Sequence, residues 1–227
     1  MKFYKLSNSI DHTITGNYPQ GQKSIVPGNI EQLYGVTVPD NEGLILPELL
    51  LENKTIITDF IQVVTVSPAF FLIINDKLRS ILSAFSIGRV NSFAIKMHHL
   101  KKIIDSHYIF YLLESKEDLC VDYSKSSFFI GKLKDYKYVG ETITIDNSID
   151  YRIIKEKLLS KNLYLKSKEL HFNFSNIKDD LIRIMNVPFG SGYYISERLK
   201  EAIESNNLTG MSFKECNVYN SKIKAVF

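Results

Sequence analysis

Apolar residues at Leu78, Ile81, Leu82 and Phe85 fall at i, i+3, i+4 and i+7 and predict one buried face of an amphipathic helix. Asn75 is placed to cap it, Asp76 complements its positive end, and Gly88 closes it. The same grammar returns near the C-terminus. Ser196 caps, Glu197 occupies the first turn, Leu199, Ala202 and Ile203 face inward, and Asn206 to Gly210 terminate the helix. A third helix is predicted over 148–161, with Ile149, Ile153, Ile154, Lys157 and Leu158 around one apolar stripe. Strands are predicted at 1–7, 90–97, 107–114, 119–123, 126–131, 163–166 and 169–174, and in the apolar run LIRIM after Asp179 and Asp180. Met211 to Phe213 start a closing strand. The dense apolar stretch from Thr55 to Val66 has a length and period that fit strand and helix alike. Residues 8–48 carry most of the Pro and Gly and predict a loop-rich region with short strands.

This pattern predicts an α+β fold, a mostly antiparallel sheet with about three packed amphipathic helices. It predicts one domain over 1–227, loop-rich over 1–48 with its core over 49–227. An internal echo runs through it. Setting Asp59 on Asp180 aligns the chain without a gap as far as Ile87 on Leu208, pairing Ile61 with Ile182, Val66 with Val187, Ile74 with Ile195 and Leu78 with Leu199. Asn75 then meets Ser196, Asp76 meets Glu197 and Lys77 meets Arg198. A duplicated strand–helix–strand unit and the common grammar of two amphipathic helices both account for it.

Composition narrows the class. The 227 residues carry 28 basic and 25 acidic side chains, a net charge of +3, with the signs interleaved. That is unlike the clustered basic excess of a dedicated nucleic-acid binder. Two cysteines, Cys120 and Cys216, form neither a disulfide framework nor a four-thiolate zinc set. The longest apolar stretch, Phe60 to Ile74, is broken by Gln62, Thr65, Ser67 and Pro68 and is shorter than the ~20 residues of a membrane span. With no apolar leader in the first residues, the expected location is the cytoplasm, away from membranes.

Candidate chemistry is sparse. His12, His98, His99, His107 and His171 lack zinc-site spacing, so no metal or other cofactor is expected. Lys96, His98, His99, Lys101 and Lys102 form one basic run, which suits a solvated turn or a contact with nucleic-acid phosphate. Gly190 and Gly192 precede a capped helix, a geometry that can hold an anion, although neither the dinucleotide loop nor the P-loop pattern is complete. Cys120 lies in an apolar strand pattern, and Asp179–Asp180 is a carboxylate pair with no evident cleft. No convincing catalytic set emerges, and the chain is expected not to be an enzyme.

Three stretches carry a resemblance. They are TDFIQ with NDKLRSIL (58–62 and 75–82), CVDYSKSSFF (120–129), and DDLIRI with GYYISERLKEAIESNNLTGMSF (179–184 and 192–213). In this order and spacing the chain resembles the bacterial immunity proteins of polymorphic toxin systems, specifically the family numbered eleven among them. The likeness spans about residues 45 to 215, and its C-terminal stretch is the most specific. The chain departs from the family in opening its first helix with Asn75-Asp76 where Ser-Glu is common, in a second serine, Ser127, beside Ser126, and in lacking tryptophan.

The resemblance implies a non-catalytic protein that binds and neutralises a cognate toxin domain encoded nearby. The motif positions it marks are Asp59, Asp122, Ser126, Asp180, Ser196, Glu197 and Gly210, and caps and turns explain most of them structurally. For the toxin-facing patch, the acidic loop residues Asp40, Glu42 and Glu48 and exposed tyrosines are the candidates. Two other readings stay open: a small-ligand-binding or enzymatic protein using the Gly190–Gly192 turn and Asp180, and a nucleic-acid adaptor using 96–102.

Overall fold

The computed structural model describes residues 1–33, 43–67, 70–134, 137–187, 189–220 and 222–227. In chain order the elements are β1 (Phe3–Asn8), α1 (His12–Thr15), β2 (Gly21–Val26), a 3-10 turn (Ile30–Leu33), β3 (Glu48–Leu51), β4 (Phe60–Ile61), β5 (Leu72–Asn75) and α2 (Asp76–Ser83). There follow β6 (Val90–His99), β7 (Lys102–Leu112), α3 (Glu117–Cys120), β8 (Ser127–Lys134), β9 (Lys137–Ile143), α4 (Ser148–Leu159) and β10 (Tyr164–Asn173). The chain ends with β11 (Leu181–Ile184), β12 (Gly192–Ser196), α5 (Glu197–Ser205), β13 (Met211–Glu215), α6 (Cys216–Tyr219) and β14 (Ile223–Val226). Strand outweighs helix, 41% against 20%, and the sheets are mostly antiparallel, so the fold is α+β.

The strands form three sheets, ordered β11-β12-β1-β13, β14-β10-β8-β9 and β2-β3-β6-β7-β5-β4. Two of these contain one unit, twice. In the first copy β4 pairs with β5, Phe60 opposite Ile74. In the second β11 pairs with β12, Leu181 opposite Ile195. Each inner strand runs straight into a helix, β5 into α2 and β12 into α5. The third strand is β7 in one copy and β1 in the other: Ile74 faces Tyr108 as Ile195 faces Tyr4. The fourth is β6 or β13: Ala94 faces Tyr108 as Glu215 faces Tyr4. One constant offset relates β4, β5, α2 and β6 to β11, β12, α5 and β13. Only the third strand breaks chain order, since β1 comes from the chain start.

Side-chain contacts repeat as well. Asn75 caps α2 by accepting from Leu78 N–H, and Ser196 caps α5 by accepting from Leu199 N–H. Arg79 lies 3.8 Å over the Tyr108 ring, and its counterpart Lys200 lies 5.4 Å from the Tyr4 ring. Tyr108 bonds Asp76 as Tyr4 bonds Glu197. Other contacts cross between copies. Lys77 donates to Asn206 O, and Arg198 reaches the Phe85 ring, the position equivalent to Asn206. The two copies are therefore related by an approximate two-fold.

Between them lies a shared core of Phe60, Leu72, Ile74, Leu78, Leu82, Phe110 and Leu112 from the first and Leu181, Tyr193, Ile195, Leu199 and Ile203 from the second. Each such aliphatic side chain contributes roughly 1.5–3 kcal/mol on full burial. The far face of the first copy packs Ile61, Ile73, Ile109 and Tyr111 against Leu49 and Leu51 of the N-terminal region. The far face of the second packs Phe3, Ile182, Ile184 and Tyr194 against the β14-β10-β8-β9 sheet and α4.

Several expectations need correction. Residues 119–123 are not a strand. Leu119 and Cys120 N–H both bond Lys116 O in the turn of α3, and only Val121 bridges to Phe172. The strands predicted at 163–166 and 169–174 are one strand with an irregularity between Ser167 and Glu169. On α4 the buried residues are Tyr151 and Leu158, with Ile154 packed beside them. Ile149 and Ile153 are 65% and 57% exposed, because the large Tyr151 ring takes the inward sector. The stretch from Thr55 to Val66 contains only the two-residue β4. Met211–Glu215 does not close the chain, since α6 and β14 follow and β14 pairs parallel with β10.

Candidate functional site

The motif residues hold the framework. Asp180 is fully buried at the entry to β11. Its carboxylate accepts from Ser196 Oγ at 2.6 Å, from Ser86 N–H at 3.1 Å and from the Arg198 guanidinium. Burial pushes this carboxyl up, but the bonds from Arg198, Ser196 and Ser86 outweigh it and hold it below the usual range. Asp59, its counterpart, accepts from Asn75 Nδ2 at 2.8 Å and from Thr209 N–H at 2.7 Å. Each aspartate thus bonds the capping residue of its own copy and a segment just beyond the helix of the other. Ser196 is the cap of α5, and Glu197 N–H donates to Lys2 O.

Gly210 has φ +91, and a Cβ there would drive into the Phe60 carbonyl oxygen. Asp122 and Ser126 work elsewhere. Asp122 N–H donates to His171 O, and Ser126 Oγ donates to Asp122 O at 2.7 Å while accepting from His171 N–H. That turn fastens β8 to β10.

Of the acidic candidates, Asp40 and Glu42 lie outside the described residues. Glu48 accepts from His98 Nε2 at 2.9 Å and pairs with Lys96 at 3.8 Å, and these partners hold its carboxyl below the usual range. The basic run 96–102 is the β6–β7 hairpin end, with Leu100 and Lys101 in the left-handed region. Cys120 and Cys216 are buried, and burial pushes both thiols up to about 12. Among the described residues, no three His, Cys, Asp or Glu side chains are grouped as a metal would need. No helix there is long and apolar enough to cross a membrane.

The Gly190–Gly192 turn does not precede a helix directly, because β12 intervenes. It is closed by Tyr194 Oη donating to Gly190 O and Ser191 Oγ donating to Val187 O. It walls an open groove of about 480 Å³ whose lining includes Lys5, Ser7, Asn8, Tyr18, Gly192 and Lys214. Lys5 Nζ donates to Ser191 O and lies 4.6 Å from the Tyr194 ring centre. Burial lowers its pKa to about 7. Residue patterning did not single out this groove, since its walls come from β1, β12 and β13, and Lys5 and Ser7 read as ordinary outward positions of a first strand. The one signal present was the glycine pair.

No family model matches the chain, and no curated protein matches it.

Proposed function

We propose that this chain is an immunity protein, a non-catalytic inhibitor that binds and neutralises a bacterial toxin domain encoded beside it. The reading rests on the three resembling stretches, and one observation supports it. Distant in sequence, the first and third stretches are bonded directly to each other, through Asp59 and Thr209. Their polar residues are consumed in building the two-fold framework, which leaves recognition to the exposed surface.

The surface around α1 suits a protein partner. Ile10, Ile14, Tyr18, Ile56 and Ile57 are all exposed, and Ile56 N–H donates to Thr15 O, which ties the two segments together. Grouped exposed apolar side chains with an aromatic among them are typical of partner surfaces. Glu48, Asp40 and Glu42 are the acidic candidates for the same partner. In this reading the protein acts in the cytoplasm, needs no cofactor, and contacts neither nucleic acid nor membrane.

Co-expression tests it. The C-terminal domain of the large protein encoded next door is expressed in a host with and without this chain, and survivors are counted. Rescue with co-purification is expected, and Ile14→Asp with Ile56→Asp should abolish both while leaving the circular dichroism unchanged. A toxic neighbour that this chain neither rescues nor binds would overturn that pairing.

A further inference from the structure

The two copies share one register, so each position in the second can be compared with its equivalent in the first. Around the groove the comparison is one-sided. On its far face the first copy packs Phe71 against Tyr111, edge to face at 5.3 Å, and Phe93 against Tyr111, stacked at 6.5 Å, with Ile109 opposite Phe93. At the equivalent positions the second copy carries Gly192, Ser7, Lys214 and Lys5, and Lys5 stands opposite Lys214. The groove is the space the aromatic cluster fills in the first copy.

These replacements are not neutral. Two like charges directly opposite on one face of a sheet are unfavourable, and a buried ammonium loses its hydration. The register itself does not require either lysine, because the first copy keeps it with Ile109 and Phe93. Gly192 has φ +134, which favours glycine, and a Cβ there would also displace the end of the Lys5 side chain.

We propose that this groove binds a small anion, a carboxylate or phosphate group, between Lys5 and Lys214. Serine hydroxyls and Tyr18 on its rim would contact the rest of such a ligand. Its volume lies within the ~300–1,000 Å³ of ordinary small-molecule sites. Among the described residues, the one carboxylate in the lining, Asp11, is engaged by Thr13 N–H and Oγ1. The proposal does not rest on the toxin reading, and Ile10 and Tyr18 border both the groove and the apolar surface around α1.

Titration calorimetry on the full chain at pH 6.5 tests it, with sodium phosphate in one arm and sodium succinate in the other. Saturable binding in at least one arm is expected, and which arm responds separates a phosphate from a carboxylate ligand. Lys5→Ile and Lys214→Phe, the residues of the first copy, should each weaken binding at least about tenfold, the loss of one charge-assisted hydrogen bond. The remote Lys101→Ala should leave it unchanged. Affinity should also fall as pH rises from 6.5 to 8.5, as Lys5 loses its proton. Of the other groups near Lys5, Lys214 stands opposite it, the Asp11 carboxyl is held down by Thr13, and burial pushes the Cys216 thiol up to about 12. Absence of saturable heat in both arms overturns the proposal. So does binding that survives both substitutions, or that falls equally in Lys101→Ala. Should Lys5→Ile fail to fold, the exposed Lys214→Phe decides alone.

Discussion

Replacing the two equivalent aspartates by alanine should cost unequal amounts, and the structure sets the ratio. Asp180 is fully buried, and its removal strands the buried Ser196 Oγ and takes the acceptor from Ser86 N–H, which sits on an exposed residue, at the junction between the copies. Each is a hydrogen bond to a charged acceptor, and a buried donor left unmatched costs ~1–3 kcal/mol. Ser196 still caps Leu199 N–H at 3.2 Å, so the helix start survives in part. Arg198 is 60% exposed on its side chain and returns to water, so it adds little. The total for Asp180→Ala is about 3 kcal/mol. Asp59 is only half-buried, and the groups it releases, Asn75 Nδ2 and Thr209 N–H, can be hydrated, which limits Asp59→Ala to about 1–1.5 kcal/mol.

Urea unfolding at pH 7, fitted with a shared slope, measures both. For a chain of this size each 1 kcal/mol moves the melting point by ~2–4 °C, so Asp180→Ala should melt roughly 6–12 °C lower and Asp59→Ala roughly 2–6 °C lower. Acid gives an independent check. The Asp180 carboxyl is held below its unfolded value, so its contribution is complete above ~pH 4 and is lost as pH falls through the folded value. The stability gap between the native chain and Asp180→Asn should therefore close on acidification. Equal losses for the two alanine variants, or a loss below 1 kcal/mol at Asp180, would refute the assignment of Asp180 as the buried junction.

Four further outcomes follow from the geometry. Gly210→Ala should cost more than about 2 kcal/mol, because the backbone at φ +91 and the Phe60 carbonyl both exclude a Cβ. Gly88→Ala, at φ +70 with open space around it, should cost only about 1 kcal/mol in the same urea assay. Lys5 has a folded pKa near 7, far below its unfolded value, so between these the unfolded chain binds the extra proton. Stability should rise from pH 7 to pH 9, and Lys5→Ile should flatten that slope in paired urea titrations. Finally, Cys120 and Cys216 should resist a chromogenic thiol reagent at pH 8 in the native protein and react fully in urea, since both thiols are buried and pushed up to about 12.

What was legible in the sequence was local. Caps at Asn75 and Ser196 and the spacing of Leu78, Leu82, Leu199 and Ile203 belong to single helices, so the pattern reveals them and the structure keeps them. The gap-free echo from Asp59 to Ile87 marked the duplication, because register and capping are preserved over that span. Its third strand was hidden, since β1 joins the second copy from the opposite end of the chain. The α4 stripe misled because Tyr151, counted on no face, is the residue that fills the core. At 119–123 a short apolar run has no decisive period, and the carbonyl of Lys116 turns it into α3.

The duplication also separates two kinds of polar residue. Asp59 and Asp180, Asn75 and Ser196, Asp76 and Glu197, Lys77 and Arg198, and Arg79 and Lys200 occupy equivalent positions and make equivalent or crossed contacts. A residue used in the same way at both ends of a two-fold is explained by the fold that both ends share. Most positions that carry the resemblance are of this kind, which accounts for their spacing without any chemistry. Lys5, Ser7, Asn8 and Lys214 are of the other kind: their equivalents are Ile109, Tyr111, Leu112 and Phe93, and the same backbone register is kept with none of their polarity. The Lys5 amine is held by Ser191 O and the Tyr194 ring, and the lysine opposite it is the feature the proposed anion would neutralise. The place to look for small-molecule recognition is where the two copies disagree, while a protein partner is to be sought on the apolar surface around Ile14 and Ile56 that lies outside both copies.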